Sequence, residues 1–252
     1  MSTEVRTSVA DGVALLTVSN PARRNAMNLD LAAQLVAAVD AAVADPAVGA
    51  LVVTGEAPAF CAGGDLAELQ GADAGRLRQV YSGFLALARC PLPTLAAVNG
   101  AAVGAGLNLA LACDVRLAGP GARFDARFMQ LGLHPGGGYT WMIDRALGAQ
   151  GAKALTLFGD VLDAADAERV GLVWRRYESD EALLAGALEL AGRAASAPRP
   201  LLEATKATMA ITGGPVSHAE AVEIEVRAQA ASVHSEEFHE RVTALQARIG
   251  SR

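Results

Sequence analysis

The sequence has little of what a disulfide framework or a metal site requires. It contains three cysteines, Cys61, Cys90 and Cys113, and no C-x-x-C pair. An odd, scattered set of thiols is typical of a protein in a reducing cytoplasm without structural disulfides. The four histidines do not have metal-ligand spacing. The sequence therefore predicts a cytoplasmic protein without a metal.

Long apolar runs and basic runs are also missing. No uninterrupted apolar stretch reaches the roughly 18 residues that indicate a membrane span, and the N-terminus lacks the apolar core of a signal peptide. The net charge of -6 and the lack of a basic patch argue against nucleic acid as a partner. With 52% hydrophobic and 19% charged residues, the 252-residue chain can bury a sizeable core.

Strand and helix patterns alternate over the first two thirds of the chain. Residues 5–9 and 13–18 read as a hairpin joined by Asp11-Gly12, and 50–54 and 95–98 read as buried strands. Helical patterns lie between them, and Asn28 is expected to cap the first helix. This alternation predicts an α/β core with parallel pairing. From residue 179 onward the pattern is helical, so we expect a core domain at 1–177 and a helical C-terminal region at 178–252.

Two glycine-rich segments stand out within the predicted core. Residues 60–66 read F-C-A-G-G-D-L, and their two glycines allow a sharp turn with uncovered N–H groups. Residues 99–109 join a buried strand to a helix, whose first turn has unpaired N–H donors and the positive end of the dipole. A carbonyl oxygen that gains negative charge is favoured there. Asn108 lies three residues after Ala105 and should share its helix face.

The second segment fits neither common phosphate motif. G-x-G-x-x-G is not completed, because position 109 is Leu, and no G-K-[ST] follows. Further motifs occur in a fixed order: N-P-A-R-R-N-A-M at 20–27, P-T-L-A-A-V-N-G-x-A-V-G-x-G-L at 93–107, A-C-D at 112–114 and G-L-H-P-G-G-G at 132–138. On these motifs the chain resembles the crotonase (enoyl-CoA hydratase/isomerase) superfamily.

The resemblance implies a fold, a ligand and an assembly. The fold is an α/β protein with the superfamily's β/α spiral of ββα repeats and a C-terminal helical region. The ligand is an acyl-CoA thioester, with coenzyme A arriving as part of the substrate and no separate cofactor. The assembly is a homotrimer, often paired into a hexamer, in which the helical region at 178–252 would be the oligomerisation region. Lyase or isomerase chemistry in fatty acid metabolism is the corresponding activity.

The resemblance also assigns roles to individual positions. The backbone amides of Gly64 and Ala105 would bind the thioester oxygen and stabilise an enolate-like state. Backbone groups near Ala62 would contact the adenine, and Arg24 would contact a phosphate. The residues expected to bind substrate are Arg24, Ala26, Ala62, Gly63, Asp65, Leu66, Phe128 and Trp141. Of these, Asp65 is also expected to cap the next helix, and Phe128 and Trp141 to line an acyl pocket or pack in the core.

The chain departs from the hydratase pattern at two positions. Hydratases of this superfamily carry two glutamates that hold a water molecule and exchange protons with it; the aligned residues here are Asn108 and Phe128. The two-glutamate hydration mechanism is therefore not available. His134 could transfer protons alongside Asn108, because imidazole is the side chain most suited to general acid–base work near neutral pH, or could bind a backbone carbonyl instead.

Other side chains near these motifs are weaker candidates. Asp125 could act as a base but is more simply an ion-pair or capping group. Cys61 has no histidine nearby in sequence, so a nucleophilic role is not expected. Three functions stay open: an enoyl-CoA hydratase/isomerase-like enzyme with a non-standard acid–base set, an acyl-CoA-binding protein without turnover, and another superfamily reaction such as hydrolysis or decarboxylation. The intact pair of amides favours an enzyme.

Overall fold

The computed structural model describes residues 3–250. The chain divides into two compact units between Ala195 and Ser196. The strands are β1 (Glu4–Ala10), β2 (Val13–Ser19), β3 (Ala50–Gly55), β4 (Ala59–Cys61), β5 (Thr94–Val98), β6 (Ala101–Val103), β7 (Val115–Ala118), β8 (Arg123–Asp125), β9 (Val161–Asp163) and β10 (Arg175–Arg176). The helices are α1 (Leu29–Ala44), α2 (Leu66–Leu69), α3 (Ala74–Arg89), α4 (Ala105–Leu111), α5 (Tyr139–Leu157, interrupted at Gly148), α6 (Ala164–Arg169), α7 (Asp180–Ala195), α8 (Arg199–Thr212), α9 (His218–Ser232) and α10 (Glu236–Gly250).

The larger sheet of the first unit has the order β1-β2-β3-β5-β7-β10. Strands β1 and β2 form the predicted antiparallel hairpin, with Ala10 opposite Val13 across the Asp11-Gly12 turn. The remaining pairs in this sheet are parallel. Asn28 caps α1, because its side chain accepts a hydrogen bond from the Leu31 N–H at 2.8 Å. The predicted α/β core with parallel pairing is therefore confirmed.

Helices cover both faces of this sheet. Leu51 and Val53 of β3 point into a core that includes residues of α1 and α3, whereas Ala50 and Val52 point into a second core. The second core also contains Leu183, Ala187 and Ala191 of α7, which recur every four residues along one helix face. Covering both faces in this way is typical of parallel sheets.

Because α7 packs on the larger sheet, it belongs to the first compact unit. The predicted core domain ends at residue 177, before α7 begins, whereas the compact unit continues to Ala195. The reason is the apolar face of α7, whose buried residues contact the sheet rather than the following helices. The sequence pattern of α7 is helical like that of α8–α10, so helical periodicity alone does not separate them.

A second, smaller sheet has the order β4-β6-β8-β9. Strands β4, β6 and β8 pair in parallel, with Cys61 opposite Ala102 and Val103 opposite Asp125. Strand β9 completes the sheet with an antiparallel pairing. The chain leaves β4, β6 and β8 directly into residues 62–66, 104–108 and 126–128. This small sheet therefore positions the segments that the sequence analysis assigned to the site.

The second unit consists of α8, α9 and α10. Residues 213–217, which include Gly213-Gly214-Pro215, separate α8 from α9. Ser217 and Glu220 form a capping box at the start of α9. On α10, Phe238, Leu245 and Ile249 are exposed. A role of these helices in oligomerisation stays a prediction. Across the described part of the chain, no helix combines the length and apolar character needed to span a membrane.

The approach of α4 to β4 depends on a glycine. A Cβ at Gly106 would overlap the Cys61 carbonyl oxygen and lie 2.8 Å from its carbon. We therefore expect Gly106→Ala to lower the free energy of unfolding by about 1–3 kcal/mol, the usual cost of overpacking a core. Urea denaturation at a fixed protein concentration measures this change.

Gly192→Ala in α7 is the matched control. A Cβ at Gly192 has open space around it within 4 Å. Because alanine is the better helix former by about 1 kcal/mol, this variant should be as stable as the wild type or more so. Equal stability of Gly106→Ala and Gly192→Ala would contradict the close contact between α4 and β4.

Candidate active site

The two glycine-rich segments lie side by side. Strands β4 and β6 pair at Cys61 and Ala102, and Gly64 and Ala105 each follow three residues later. The segments stay in contact beyond the strands, since a Cβ at Gly63 would lie 3.2 Å from the Val103 carbonyl oxygen. Both Gly64 and Ala105 are half-buried. The structure therefore brings together the two residues predicted to supply amides.

The direction of the Gly64 amide follows from its neighbours. The Met27 N–H donates to the Gly63 oxygen at 2.7 Å, and the Asp65 N–H donates to the Met27 oxygen at 2.8 Å. In extended backbone, successive peptide groups point to opposite edges. The Gly64 N–H therefore points away from Met27, and within residues 3–250 it has no hydrogen-bond acceptor.

The Ala105 amide is available for a different reason. Ala105 is the first residue of α4, and N–H groups in the first turn of a helix have no partner within the helix. Among the described residues, none accepts a hydrogen bond from this N–H. The preceding turn is fixed by the Gly104 N–H, which donates to the Asp125 carbonyl at 2.9 Å. Since α4 has only seven residues, this start of a helix offers a ligand the N–H itself more than a helix dipole.

Asn108 is held in one orientation at the same end of α4. Its side chain is almost fully buried, and its Nδ2 donates to the Gly136 carbonyl oxygen at 2.9 Å. A carbonyl only accepts, so the amide nitrogen must face Gly136 and Oδ1 must face away. Oδ1 is buried and has no hydrogen-bond partner in the described part of the chain. It can accept a hydrogen bond from a protic group, but it cannot take the proton.

The loop that carries Gly136 also rests on α3. A Cβ at Gly136 would overlap the Tyr81 hydroxyl, and one at Gly137 would overlap the Phe84 ring. Burial raises the pKa of the Tyr81 hydroxyl above its usual value, so it stays protonated at neutral pH. The sequence gives no signal for this contact, because helical spacing around Tyr81 does not show which loop that face of α3 meets.

Several predicted substrate-binding residues lie at different depths. Phe128 is buried, with its ring edge-on to Tyr139 at 4.9 Å between centroids. Trp141 is exposed on α5, and the Arg145 guanidinium lies 3.6 Å from the centre of its ring. Ala26 is buried, Ala62 is half-buried and Leu66 is exposed. Phe128 thus packs as a core residue, while Trp141 lies on the surface.

The structure separates the candidates for proton transfer. The His134 ring is exposed, and its Nδ1 lies 2.7 Å from the Pro135 carbonyl oxygen. Such a contact places the proton on Nδ1 and leaves Nε2 as an acceptor. Asp125 is buried, and its Oδ2 accepts a hydrogen bond from Arg127 Nε at 2.9 Å. Asp125 therefore forms the ion pair that the sequence analysis considered for it.

Residues 20–27 form a turn that borders residues 62–65. Asn25 is fully buried, with Oδ1 accepting from the Asn20 N–H at 2.9 Å and Nδ2 donating to the Ala59 carbonyl at 2.7 Å. Arg24 is exposed in the left-handed region, with a φ of 49°. This turn places the Arg24 side chain at the surface beside the first glycine-rich segment.

Asp65 has two partners, and only one was foreseen. Its Oδ1 accepts from the Ala67 N–H at 3.0 Å, which confirms the predicted cap of α2. Arg23 Nη1 also lies 2.7 and 2.8 Å from the two carboxylate oxygens. The sequence analysis missed Arg23, because the two residues are 42 positions apart.

Neither Cys61 nor a cluster of metal ligands adds reactive chemistry to the described part of the chain. The Cys61 thiol is fully buried, and its burial raises its pKa to about 11. A thiol that stays protonated is a poor nucleophile. Over residues 3–250, no three His, Cys, Asp or Glu side chains are grouped to hold a metal ion.

Comparison with known proteins gives a consistent result. The family model for enoyl-CoA hydratase/isomerase matches residues 8–248. "Probable enoyl-CoA hydratase EchA14" of Mycobacterium tuberculosis is 54% identical over 251 residues, which cover 96% of each chain. The 2,3-dehydroadipyl-CoA hydratase of Escherichia coli is 41% identical over 196 residues, covering 77% of this chain and 76% of that protein.

A solved structure extends the similarity to the fold. The crystal structure of an enoyl-CoA hydratase from a Polaromonas species superposes with a TM-score of 0.89 at 29% identity, covering 97% of both chains. The fold and the sequence matches thus define one class of protein. The chain belongs to the enoyl-CoA hydratase/isomerase family, and the crotonase fold expected from the sequence motifs is confirmed.

The burial of the cysteines makes a simple prediction. All three thiols are buried, and Cys61 stays protonated up to a pH near its pKa of about 11. We therefore expect no rapid reaction of the native protein with Ellman's reagent at pH 8, because the reagent needs an accessible thiolate. The same protein in denaturant should release three equivalents of thiolate dye. One rapidly reacting equivalent in the native protein would show that a thiol is open to solvent.

Proposed function

We propose that this protein binds an acyl-CoA thioester and polarises the thioester carbonyl with the Gly64 and Ala105 amides. The observation that carries the proposal is this pair of half-buried, unpaired N–H groups on adjacent segments. Donors aimed at a developing oxyanion are each worth about 10²–10³ in rate. A polarised thioester carbonyl makes the neighbouring carbon more acidic, which favours an enolate-like state.

The surroundings of the amides fit the two ends of such a ligand. Arg24 is an exposed cation beside residues 62–65, where it can meet a phosphate of coenzyme A. Asn108 follows Ala105 by three residues on α4, and its Oδ1, which has no partner among the described residues, offers an acceptor to a protic group. The proposal needs no separate cofactor, since coenzyme A is part of the substrate.

The proposed reaction is hydratase- or isomerase-like, with a non-standard acid–base set. The two relatives described above are named as hydratases, which supports chemistry at an enoyl double bond. Asn108 and Phe128 supply no carboxylate, so proton transfer falls to another group. His134 is the proposed group, because the contact of its Nδ1 with Pro135 leaves Nε2 able to accept a proton.

Two alternatives share the same pair of amides. A protein that binds acyl-CoA without turnover is favoured by the missing carboxylates. A decarboxylase is favoured by the same observation, because loss of CO₂ from the carbon beside the carbonyl gives the enolate without a base. Only a proton donor is then required to complete the product.

A panel of CoA esters tests these functions. Calorimetry should show binding of enoyl-, 3-hydroxyacyl- and carboxyacyl-CoA esters, and mass spectrometry should show a product from at least one of them. Product from the enoyl or hydroxyacyl esters supports the hydratase/isomerase assignment, and product from the carboxyacyl ester supports decarboxylation. Binding without product supports the binding protein. An absence of binding to every ester would overturn the proposal.

The role of His134 gives a separate prediction. If protons pass through this ring, His134→Ala should lower kcat by about 10²–10⁴ and leave the affinity for the CoA ester unchanged. His234→Ala, in the second unit, is the control for loss of an imidazole. Equal turnover by His134→Ala and the wild type would remove His134 from the mechanism.

We also propose assembly into trimers or hexamers through the second unit. The supporting observation is the exposed apolar side chains of α10, Phe238, Leu245 and Ile249. Sedimentation of the wild type and of Leu245→Glu tests this assignment. A monomeric wild type would contradict it.

A further inference from the structure

We propose that Arg23 is a positioning residue for the oxyanion hole, which it serves by holding the carboxylate of Asp65, the residue that follows Gly64. The inference rests on the proposed function, because it assumes that the Gly64 N–H binds a thioester oxygen. Arg23 itself touches no reacting atom in this role.

Among the described residues, backbone hydrogen bonds hold the segment that carries Gly64 along one edge, the edge that faces residues 24–27. Three backbone hydrogen bonds join it to residues 24–27: Ala62 N–H to the Arg24 oxygen at 3.0 Å, Met27 N–H to the Gly63 oxygen at 2.7 Å, and Asp65 N–H to the Met27 oxygen at 2.8 Å. Gly64 lies between the last two. The segment has no intrinsic stiffness, since glycine restricts the backbone least and Gly63 has a φ of 119°.

The Asp65 N–H makes the last of these three backbone hydrogen bonds. The next element, α2, is four residues long and starts at Leu66. The direction of the Gly64 N–H therefore depends on how firmly Asp65 is held. Its side chain is 9% exposed and is bound by one backbone N–H, that of Ala67, and by Arg23 Nη1.

Arg23 also compensates the negative charge of Asp65 next to the proposed oxyanion hole. An unpaired carboxylate at position 65 would be a negative charge one residue from the group that binds the developing oxyanion. Like charges disfavour one another, and a carboxylate without Arg23 would also compete for backbone N–H groups nearby. Arg23 neutralises this charge and occupies both carboxylate oxygens.

Arg23 and Asp65 are buried to different extents, so their ion pair is not exposed on both sides as a surface ion pair would be. The Arg23 side chain is 57% exposed, whereas that of Asp65 is 9% exposed. Removing an exposed arginine therefore creates little empty space but leaves a nearly buried carboxylate short of a partner. The effect of Arg23→Gln should consequently appear at Gly64 rather than in the packing of the core.

The test measures carbonyl polarisation directly. A CoA thioester labelled with ¹³C at the carbonyl is bound to each variant, and isotope-edited infrared difference spectra report the carbonyl stretch. The wild type should lower the stretching frequency relative to the free thioester. Arg23→Gln should lose about half or more of that shift, and where turnover is measurable kcat should fall about tenfold with KM little changed, because one of two donors is misdirected.

Three further variants separate positioning from general destabilisation. Arg23→Lys keeps a cation and should recover part of the shift. Arg23→Gln/Asp65→Asn removes the unpaired carboxylate but keeps an acceptor for the Ala67 N–H, so it should show a larger shift than Arg23→Gln alone. Arg169→Gln removes an exposed arginine that pairs with Asp166 in α6, and it should leave the shift unchanged. Thermal unfolding of all variants identifies any that are not folded, in which case Arg23→Lys carries the comparison.

The outcomes distinguish this inference from the function on which it rests. No shift in the wild type would overturn the proposed oxyanion hole itself. A normal shift in both the wild type and Arg23→Gln would refute the role of Arg23 while the proposed function stands. Complete loss of thioester binding by folded Arg23→Gln would also refute it, because Arg23 would then bind the ligand rather than position the hole.

Discussion

The backbone of α4 lies directly against the carbonyl of Cys61, at a point where Gly106 has no side chain. Because β4 and β6 are parallel and paired at Cys61 and Ala102, the chain leaves both strands in the same direction. The contact at Gly106 keeps the segments that follow β4 and β6 adjacent over the first turn of α4. Gly64 and Ala105 therefore end up as neighbours through backbone packing alone, and the positions of the remaining site residues follow from this approach.

The same region contains an unusual concentration of unsatisfied polar groups. The Gly64 and Ala105 N–H groups and the Asn108 Oδ1 have no hydrogen-bond partner among the described residues. The Asn108 Oδ1 is buried, and a buried polar group without a partner costs about 1–3 kcal/mol. The packed cores on both faces of the larger sheet offset this cost. In the proposed function, the Gly64 and Ala105 N–H groups are donors that need not reorganise when a ligand binds.

Sequence reasoning succeeded where the signal is local. Strand and helix periodicity predicted the α/β core, and the Asp11-Gly12 turn predicted the hairpin. The acidic side chain of Asp65 predicted the cap of α2. It did not foresee the ion pair between Arg23 and Asp65, since side chains 42 residues apart meet only through the fold. The helical pattern of α7 also does not reveal that its apolar face contacts the sheet, so the compact unit extends to Ala195, past the expected boundary at residue 177.

Asn108 illustrates that carbonyl polarisation and proton transfer rest on different groups in the proposed function. In the proposed function, polarisation of the carbonyl comes from backbone N–H groups, which substitution of neighbouring side chains leaves in place. Proton transfer would depend on side chains, and the positions that the superfamily resemblance aligns with the hydratase glutamates hold Asn108 and Phe128. The Asn108 Nδ2 donates to the Gly136 carbonyl, a bond that an ionised glutamate has no proton to make. The amide thus fixes the loop at Gly136, and its free Oδ1 is an acceptor, not a base.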